Sequence, residues 1–269
     1  MNMSDLIRKR RSVRTFDGTP LREEDAAAIL EFASRAENPF GLPIEWKILD
    51  GKKEGLSSPV IAGTNNFIAG KMQQSSRAEE AFGYTFEKVV LFAESLGVGT
   101  TWIAGTMDRK AFEQAVDLKE NEVMPCVSPL GYPAAKMSLR ETLMRKGIRA
   151  DSRFDFEKLF FDKTFDNALT EQNAGELSLP LEMVRLAPSA VNGQPWRLVM
   201  DKDRVHFYEK RSRGLASNGW DIQRIDMGIA LSHFELGAME CGLRPVLSVE
   251  DPCIPNAEGL IYVATYLVG

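Results

Sequence analysis

Ala187-Pro188-Ser189-Ala190-Val191-Asn192-Gly193-Gln194-Pro195-Trp196 is the stretch on which the reading of this chain turns. Two prolines among small residues mark a loop. It joins a helix expected near Pro180 to Leu186 to a strand expected at Trp196 to Met200. Ser, Asn and Gln carry both donors and acceptors, as reading the edge of a heterocycle requires. Small residues let a flat ring come close to the backbone. The same composition also suits an Asx turn at a strand start, with Trp196 in the core.

Downstream, Val205 to Tyr208 reads as a second strand, a long helix is expected from about Ile225 to Cys241, and Leu260 to Leu267 as a closing strand. Upstream, the chain shows the same order once already. A short helix is expected at Asp5 to Arg10, with Ser4 as its cap, then a helix over Arg22 to Arg35 with Ile29, Leu30, Phe32 and Ala33 on its apolar face. Asn38 to Pro43 is loop, Glu45 to Leu49 a strand, and Asn66 to Ala69 a short strand. Phe82, Phe86, Val89, Val90 and Ala93 recur at helical spacing across Ala78 to Leu96, and Gly97 ends that helix. A helix over Arg109 to Val116 and a strand over Met124 to Gly131 follow, and residues 136–158 read as a polar surface segment. Helices and strands mix without a regular βαβ beat, which predicts an α+β fold.

The correspondence extends to residues. Thr15-Phe16-Asp17 recurs as Thr164-Phe165-Asp166, Leu30-Glu31-Phe32-Ala33 as Leu181-Glu182-Met183-Val184, and Trp46 as Trp196, each pair roughly 150 residues apart. Leu91 to Glu94 and Leu236 to Met239 make a looser fourth pair. Together they predict a fused duplication with halves at 1–150 and 151–269 that share one core.

Bulk properties narrow the classes. The 269 residues are 44% hydrophobic, ample for a core, and carry a net charge of −5. An acidic chain argues against nucleic acid as the main partner. Cys126, Cys241 and Cys253 are odd in number and lack metal-like spacing, so a reducing compartment is expected and a disulfide framework is not. With so few thiols, His206 and His233 do not make a zinc site, and no metal is expected. No stretch reaches the roughly 18 apolar residues of a membrane helix. The basic opening, Met1 to Phe16, is followed by no apolar run and does not read as a secretory signal, so a cytoplasmic protein is expected.

A second chemistry-bearing segment is Arg10-Arg11-Ser12-Val13-Arg14. Three guanidiniums and a hydroxyl in five residues suit an anion, since arginine binds phosphate in a planar, bidentate way. A solvated basic patch beside a helix is the alternative. Taken with Ala187 to Trp196, these residues resemble the paired motifs of the FMN-dependent nitroreductase family, R-x-S-x-R near the N-terminus and A-P-S-A-x-N-x-Q-P-W leading into a strand. Leu96 to Gly105 resembles that family's segment after its central helix, and Val127 to Pro133 its later strand and turn.

The resemblance implies a nitroreductase-like fold whose two halves pack as an intramolecular pseudo-dimer, so that a monomer becomes possible. It implies that Arg10, Arg11, Ser12 and Arg14 hold the FMN phosphate, ribityl chain and one ring edge, with Lys136 and Arg140 reaching the phosphate. Pro188, Ser189, Ala190, Asn192 and Gln194 would line the flavin, and the N–H groups of Ala104 and Gly105 would face its N5 and O4. NADH or NADPH would pass a hydride to N5, and an electron-poor small molecule would then take it. No acid–base residue is implied, and Tyr84 and Phe40 are candidates for the border of the substrate space. Other flavin chemistry on the same scaffold (dehalogenation, ene reduction, flavin breakdown) and a non-catalytic FMN-binding protein are the alternatives. The chain departs from the family in one respect. Ala36 to Pro43 stands where the first half would carry the flavin loop, and Leu159-Phe160-Phe161-Asp162-Lys163 where the second would carry RRSVR. Each half keeps one motif, which predicts one composite FMN site per chain.

Overall fold

The computed structural model describes residues 2–212, 216–217 and 220–269. Helix α1 (Met3–Lys9) leads into an extended segment and then α2 (Glu23–Arg35), β1 (Glu45–Asp50), the single turn α3 (Gly51–Glu54), β2 (Asn66–Gln73), the long α4 (Ala78–Ser95), α5 (Arg109–Ala115), β3 (Glu122–Val123), β4 (Val127–Leu130) and α6 (Leu139–Gly147). The rest comprises α7 (Phe156–Leu159), β5 (Phe160–Asp162), a 3-10 turn at Gln172–Leu177, α8 (Ser178–Leu186), a 3-10 turn at Ala190–Asn192, β6 (Trp196–Asp201), β7 (Arg204–Lys210), the short pair β8 (Ala216–Ser217) and β9 (Trp220–Asp221), α9 (Ile222–Glu240), β10 (Val246–Ser248) and β11 (Leu260–Leu267). Two compact units result: Lys9–Ala150, and Met1–Arg8 with Asp151–Gly269.

In the unit Lys9–Ala150, β2 is the central strand, antiparallel to β1, β3 and β4. Helix α2 starts on three acids, Glu23, Glu24 and Asp25, and ends on Arg35, matching the helix dipole at both ends. Its Ile29 and Ala33 are buried, and Phe32 stacks on Phe92 of α4 at 4.3 Å between ring centroids. Trp46, Phe82, Phe86 and Trp102 form an aromatic cluster. Beside it lies an apolar core of Leu49, Phe67, Ile103, Phe112 and Val127.

The unit holding Asp151–Gly269 has the strand order β10-β11-β7-β6-β5, antiparallel except for the parallel β5–β6 edge. Phe207, Phe234 and Tyr266 pack edge-to-face and stacked between sheet and α9. The internal plan of the first unit recurs here. Helix α2, the hairpin β1–β2, helix α4 and the later strand β4 beside β2 correspond to α8, β6–β7, α9 and β11 beside β7. Trp46 and Trp196 are both buried near the start of the first hairpin strand. The two halves are thus related in structure as in sequence, in an α+β fold.

Several element boundaries differ from those read in sequence. Of the expected strand Met124 to Gly131 only β4 (Val127–Leu130) forms; β3 (Glu122–Val123) precedes it, and Pro125 between them has no N–H to give a ladder. The segment 136–158 contains α6, capped by Ser138 Oγ accepting the Glu141 N–H at 3.1 Å. Its Leu139 and Leu143 are exposed, so no apolar face announces it. Helix α9 begins at Ile222, where the Asp221 carboxylate accepts the Gln223 N–H, rather than near Ile225. Among the described residues no helix is long and apolar enough to cross a membrane, and no group of three or more His, Cys, Asp or Glu could hold a metal.

Candidate functional site

The segment Arg10 to Phe16 is extended and tied down by backbone on several sides. The Val13 N–H donates to Thr100 O (2.8 Å), the Ala62 N–H to Arg14 O (3.0 Å), the Phe16 N–H to Ala62 O (2.8 Å) and the Ala134 N–H to Thr15 O (3.1 Å). Close approach requires glycine at Gly63, which has φ 89° and where a Cβ would lie 2.1 Å from Phe16 O. Val13 and Phe16 turn inward and are buried. The basic run is therefore a fixed strand-like segment, not a solvated flank of α1.

Fixing the backbone sorts the arginines. Arg10 is almost fully buried, and its Nε lies 3.5 Å from Glu87 Oε1 on α4, a carboxylate with no exposure. Glu87 Oε2 also accepts the Trp102 Nε1–H at 3.0 Å. Arg11 pairs at 3.5 Å with the buried Glu141 of α6. Arg14 Nη1 is buried with no hydrogen-bond partner among the described residues. Burial pulls the Arg14 guanidinium below its ordinary value, with the Glu141 charge opposing and the Arg145 charge adding to the shift. Ser12 lies in a bridge to Thr100. Lys136 is exposed, and Arg140 is exposed with its guanidinium donating to Pro59 O. Ala104 and Gly105 sit in the bend before α5, and Arg109 Nη2 donates to Ala104 O at 2.9 Å. Among the described residues, no backbone acceptor takes the N–H of either Ala104 or Gly105. In the same unit, Tyr84 is buried with Lys88 Nζ 2.9 Å from its hydroxyl, and Phe40 lies in a loop tied by Asn38, whose Oδ1 accepts the N–H of Phe40 and Leu42.

The loop Ala187 to Pro195 belongs to the other unit. Val191 (φ 48°), Asn192 (φ 58°) and Gln194 (φ 47°) all occupy the left-handed region. For a β-branched valine that is a strained conformation, costing on the order of 1–3 kcal/mol. The loop is held by its own polar groups: Ser189 Oγ accepts the Gln194 N–H at 3.0 Å, Gln194 Oε1 accepts the Phe154 N–H at 2.9 Å, and Asn192 Nδ2 donates to Ser152 O at 3.0 Å. Arg153 Nη1 donates to Asn192 Oδ1 at 3.3 Å. Asn192 and Gln194, read in sequence as groups for a heterocycle edge, thus also brace the loop against residues 152–154. Pro188, Ser189 and Ala190 are half-buried. The Ala190 N–H donates to both oxygens of Asp226 on α9, at 3.0 and 3.1 Å.

Sequence reasoning missed Glu87, Glu141, Arg145, Arg153 and Asp226. The signal for Glu87 and Asp226 was present: each is an acid set among apolar residues in a long helix, Phe86-Glu87-Lys88-Val89 and Ile225-Asp226-Met227. A carboxylate on a buried face needs a partner, and the partner is invisible without the fold.

Leu159 and Phe160, where the second half would carry a basic motif, are fully buried at the start of β5. The arginines of the first motif thus have apolar, buried counterparts here.

The fold is that of the nitroreductase family. The family described as "Putative TM nitroreductase" matches residues 2–238, and the chain belongs to it. A putative nitroreductase from Thermotoga maritima MSB8 shares the fold over 100% of this chain and 93% of its own, with a TM-score of 0.65 at 22% identity. Weaker likenesses include a nitroreductase family protein from Clostridium novyi NT (TM-score 0.43, 20% identity, 50% of this chain and 87% of that one). An FMN-dependent nitroreductase from Clostridium difficile R20291 stands at TM-score 0.43 and 19% identity, over 49% of this chain and 88% of its own. Comparison with curated proteins finds no match.

Proposed function

We propose that this chain is an FMN-dependent oxidoreductase that uses NADH or NADPH to reduce an electron-poor small molecule. The observation that carries the reading is Arg14: a buried guanidinium nitrogen without a partner among the described residues, on a segment locked in place by backbone bonds. A desolvated cation edge of this kind is costly unless an anion completes it, and a phosphomonoester suits a planar guanidinium. The residues present therefore fit FMN. Arg14, Arg11 and Ser12 would hold the phosphate and ribityl chain, with Lys136 and Arg140 as further candidate cations for the phosphate. Arg10, already paired with Glu87, would orient the segment. The Ala104 and Gly105 N–H groups would donate to the ring's polar edge and stabilise negative charge on it. The loop Ala187 to Pro195 is a further candidate for flavin contact, through Pro188, Ser189 and Ala190. When bound, FMN supplies the hydride-accepting and hydride-donating ring, so no side chain is required as acid or base.

The test is optical. Protein titrated with FMN should gain flavin absorbance, and NADH or NADPH should bleach it without oxygen, with colour returning on addition of a nitroaromatic or quinone. Protein that takes up no FMN overturns the cofactor assignment. Flavin that binds but is bleached by neither nucleotide leaves a binding protein and overturns the oxidoreductase.

A further inference from the structure

The loop Ala187 to Pro195 holds a backbone shape that its sequence disfavours, with Val191, Asn192 and Gln194 all at positive φ. Most of its braces are neutral and at least partly open to water, as are the Asn192 bonds to Ser152 and the Gln194 bond to Phe154. One brace differs. Asp226 is 3% exposed on α9, and both of its carboxylate oxygens receive the Ala190 N–H, at 3.0 and 3.1 Å. The charged groups that act on it among the described residues are carboxylates, Asp221 at the start of α9 and Glu209 on β7. A carboxyl so costly to bury, with both oxygens on the Ala190 N–H, marks a position where the donor must stay put. Ala190 is also the residue at which the loop enters its left-handed turn.

We propose that Asp226 is the positioning residue of this loop: by anchoring the Ala190 N–H it selects the left-handed turn that presents Pro188, Ser189 and Ala190 to the cofactor. It touches no reacting atom and acts through the loop. The proposal rests on the assignment of Ala187 to Pro195 to FMN, and its two parts separate in the test.

Asp226→Leu removes the acceptor, and Asp226→Asn retains one acceptor oxygen. Ala190→Pro deletes the donor without altering α9, at the cost of restricting Ser189 to extended backbone that it already adopts, and serves where the leucine variant does not fold. Amide hydrogen exchange of residues 187–195 is followed without flavin, and FMN affinity is measured by titration. The expected result is exchange at least about tenfold faster across Val191 to Gln194 in Asp226→Leu and in Ala190→Pro, with FMN affinity about tenfold weaker. Asp226→Asn should restore both to near the wild-type values, which a residue that merely fills space would not do. Unchanged loop exchange in Asp226→Leu or Ala190→Pro, or an asparagine variant as impaired as the leucine one, overturns the proposal. Faster loop exchange with undiminished FMN affinity overturns the link from loop to cofactor. Faster loop exchange in a protein whose wild type takes up no FMN overturns the cofactor assignment while the tether itself stands.

Discussion

Arg10, Arg11 and Arg14 are equivalent in the sequence and unlike in the structure. Arg10 faces Glu87 as an ion pair at 3.5 Å, without a hydrogen bond from its Nε among the described residues, whereas Arg14 Nη1 is buried with no hydrogen-bond partner among the described residues. Their variants should fail in different assays. Arg10→Met leaves Glu87 buried and short of its cation, and should lower stability by about 3–5 kcal/mol in urea unfolding. Arg14→Ala should leave stability close to wild type and weaken FMN binding by about 1.5–3 kcal/mol, the worth of a charged hydrogen bond. Unchanged FMN affinity would remove Arg14 from the phosphate site. Asp226 makes a prediction about pH. Burial, opposed by the Ala190 N–H and reinforced by Asp221 and Glu209, holds its carboxyl well above the usual carboxylate range. The folded state therefore keeps a proton that the unfolded chain releases near pH 4. This contribution to stability is complete below that pH and is lost as pH rises through the folded-state value. Glu209, raised by burial and by Asp221 against Arg211 and Arg224, acts in the same direction. The urea midpoint should fall as pH climbs above about 4, and Asp226→Asn should flatten part of that slope. A slope identical in the two proteins would show that Asp226 is not proton-linked to folding.

At the scale of elements, the pattern of apolar residues sufficed where a face is continuous. Helices α2, α4 and α9 and strands β1, β6, β7 and β11 all stand within a few residues of their expected places. It failed where a short element is held by others. Strand β5 exists because β6 pairs with it in parallel, and β10 because β11 does so antiparallel. The extended segment carrying RRSVR is the sharpest case. Its residues alone also suit a solvated basic patch beside a helix, and it becomes a strand-like edge only because residues 62, 100 and 134 lie against it. Gly63 permits the closest of these approaches. Gly63→Ala should cost about 3 kcal/mol, from a strained φ and a clash with Phe16 O. It should also impair FMN binding, because the displaced backbone carries Arg14. Full stability in that variant would refute the account of how the segment is held.

For the whole molecule, the question is how many flavins one chain holds. The second half repeats the first in its main helices and hairpin, yet buries Leu159 and Phe160 where a basic motif would stand, and the first half fills the loop position with a turn closed on Asn38. Gentle desalting followed by flavin release should give one FMN per chain, and two would show that the altered positions still bind. The duplicated order of elements, the α+β class, the two chemistry-bearing motifs and the nitroreductase resemblance were all determined by the sequence alone. Hydrophobic periodicity and short motifs are local properties, written in consecutive residues. Only the tertiary structure decided which arginine faces Glu87, which buries an Nη without a partner among the described residues, and that a carboxyl from α9 braces the loop at Ala190. Those outcomes depend on desolvation and on partners far away in sequence, and neither exists until the chain has folded.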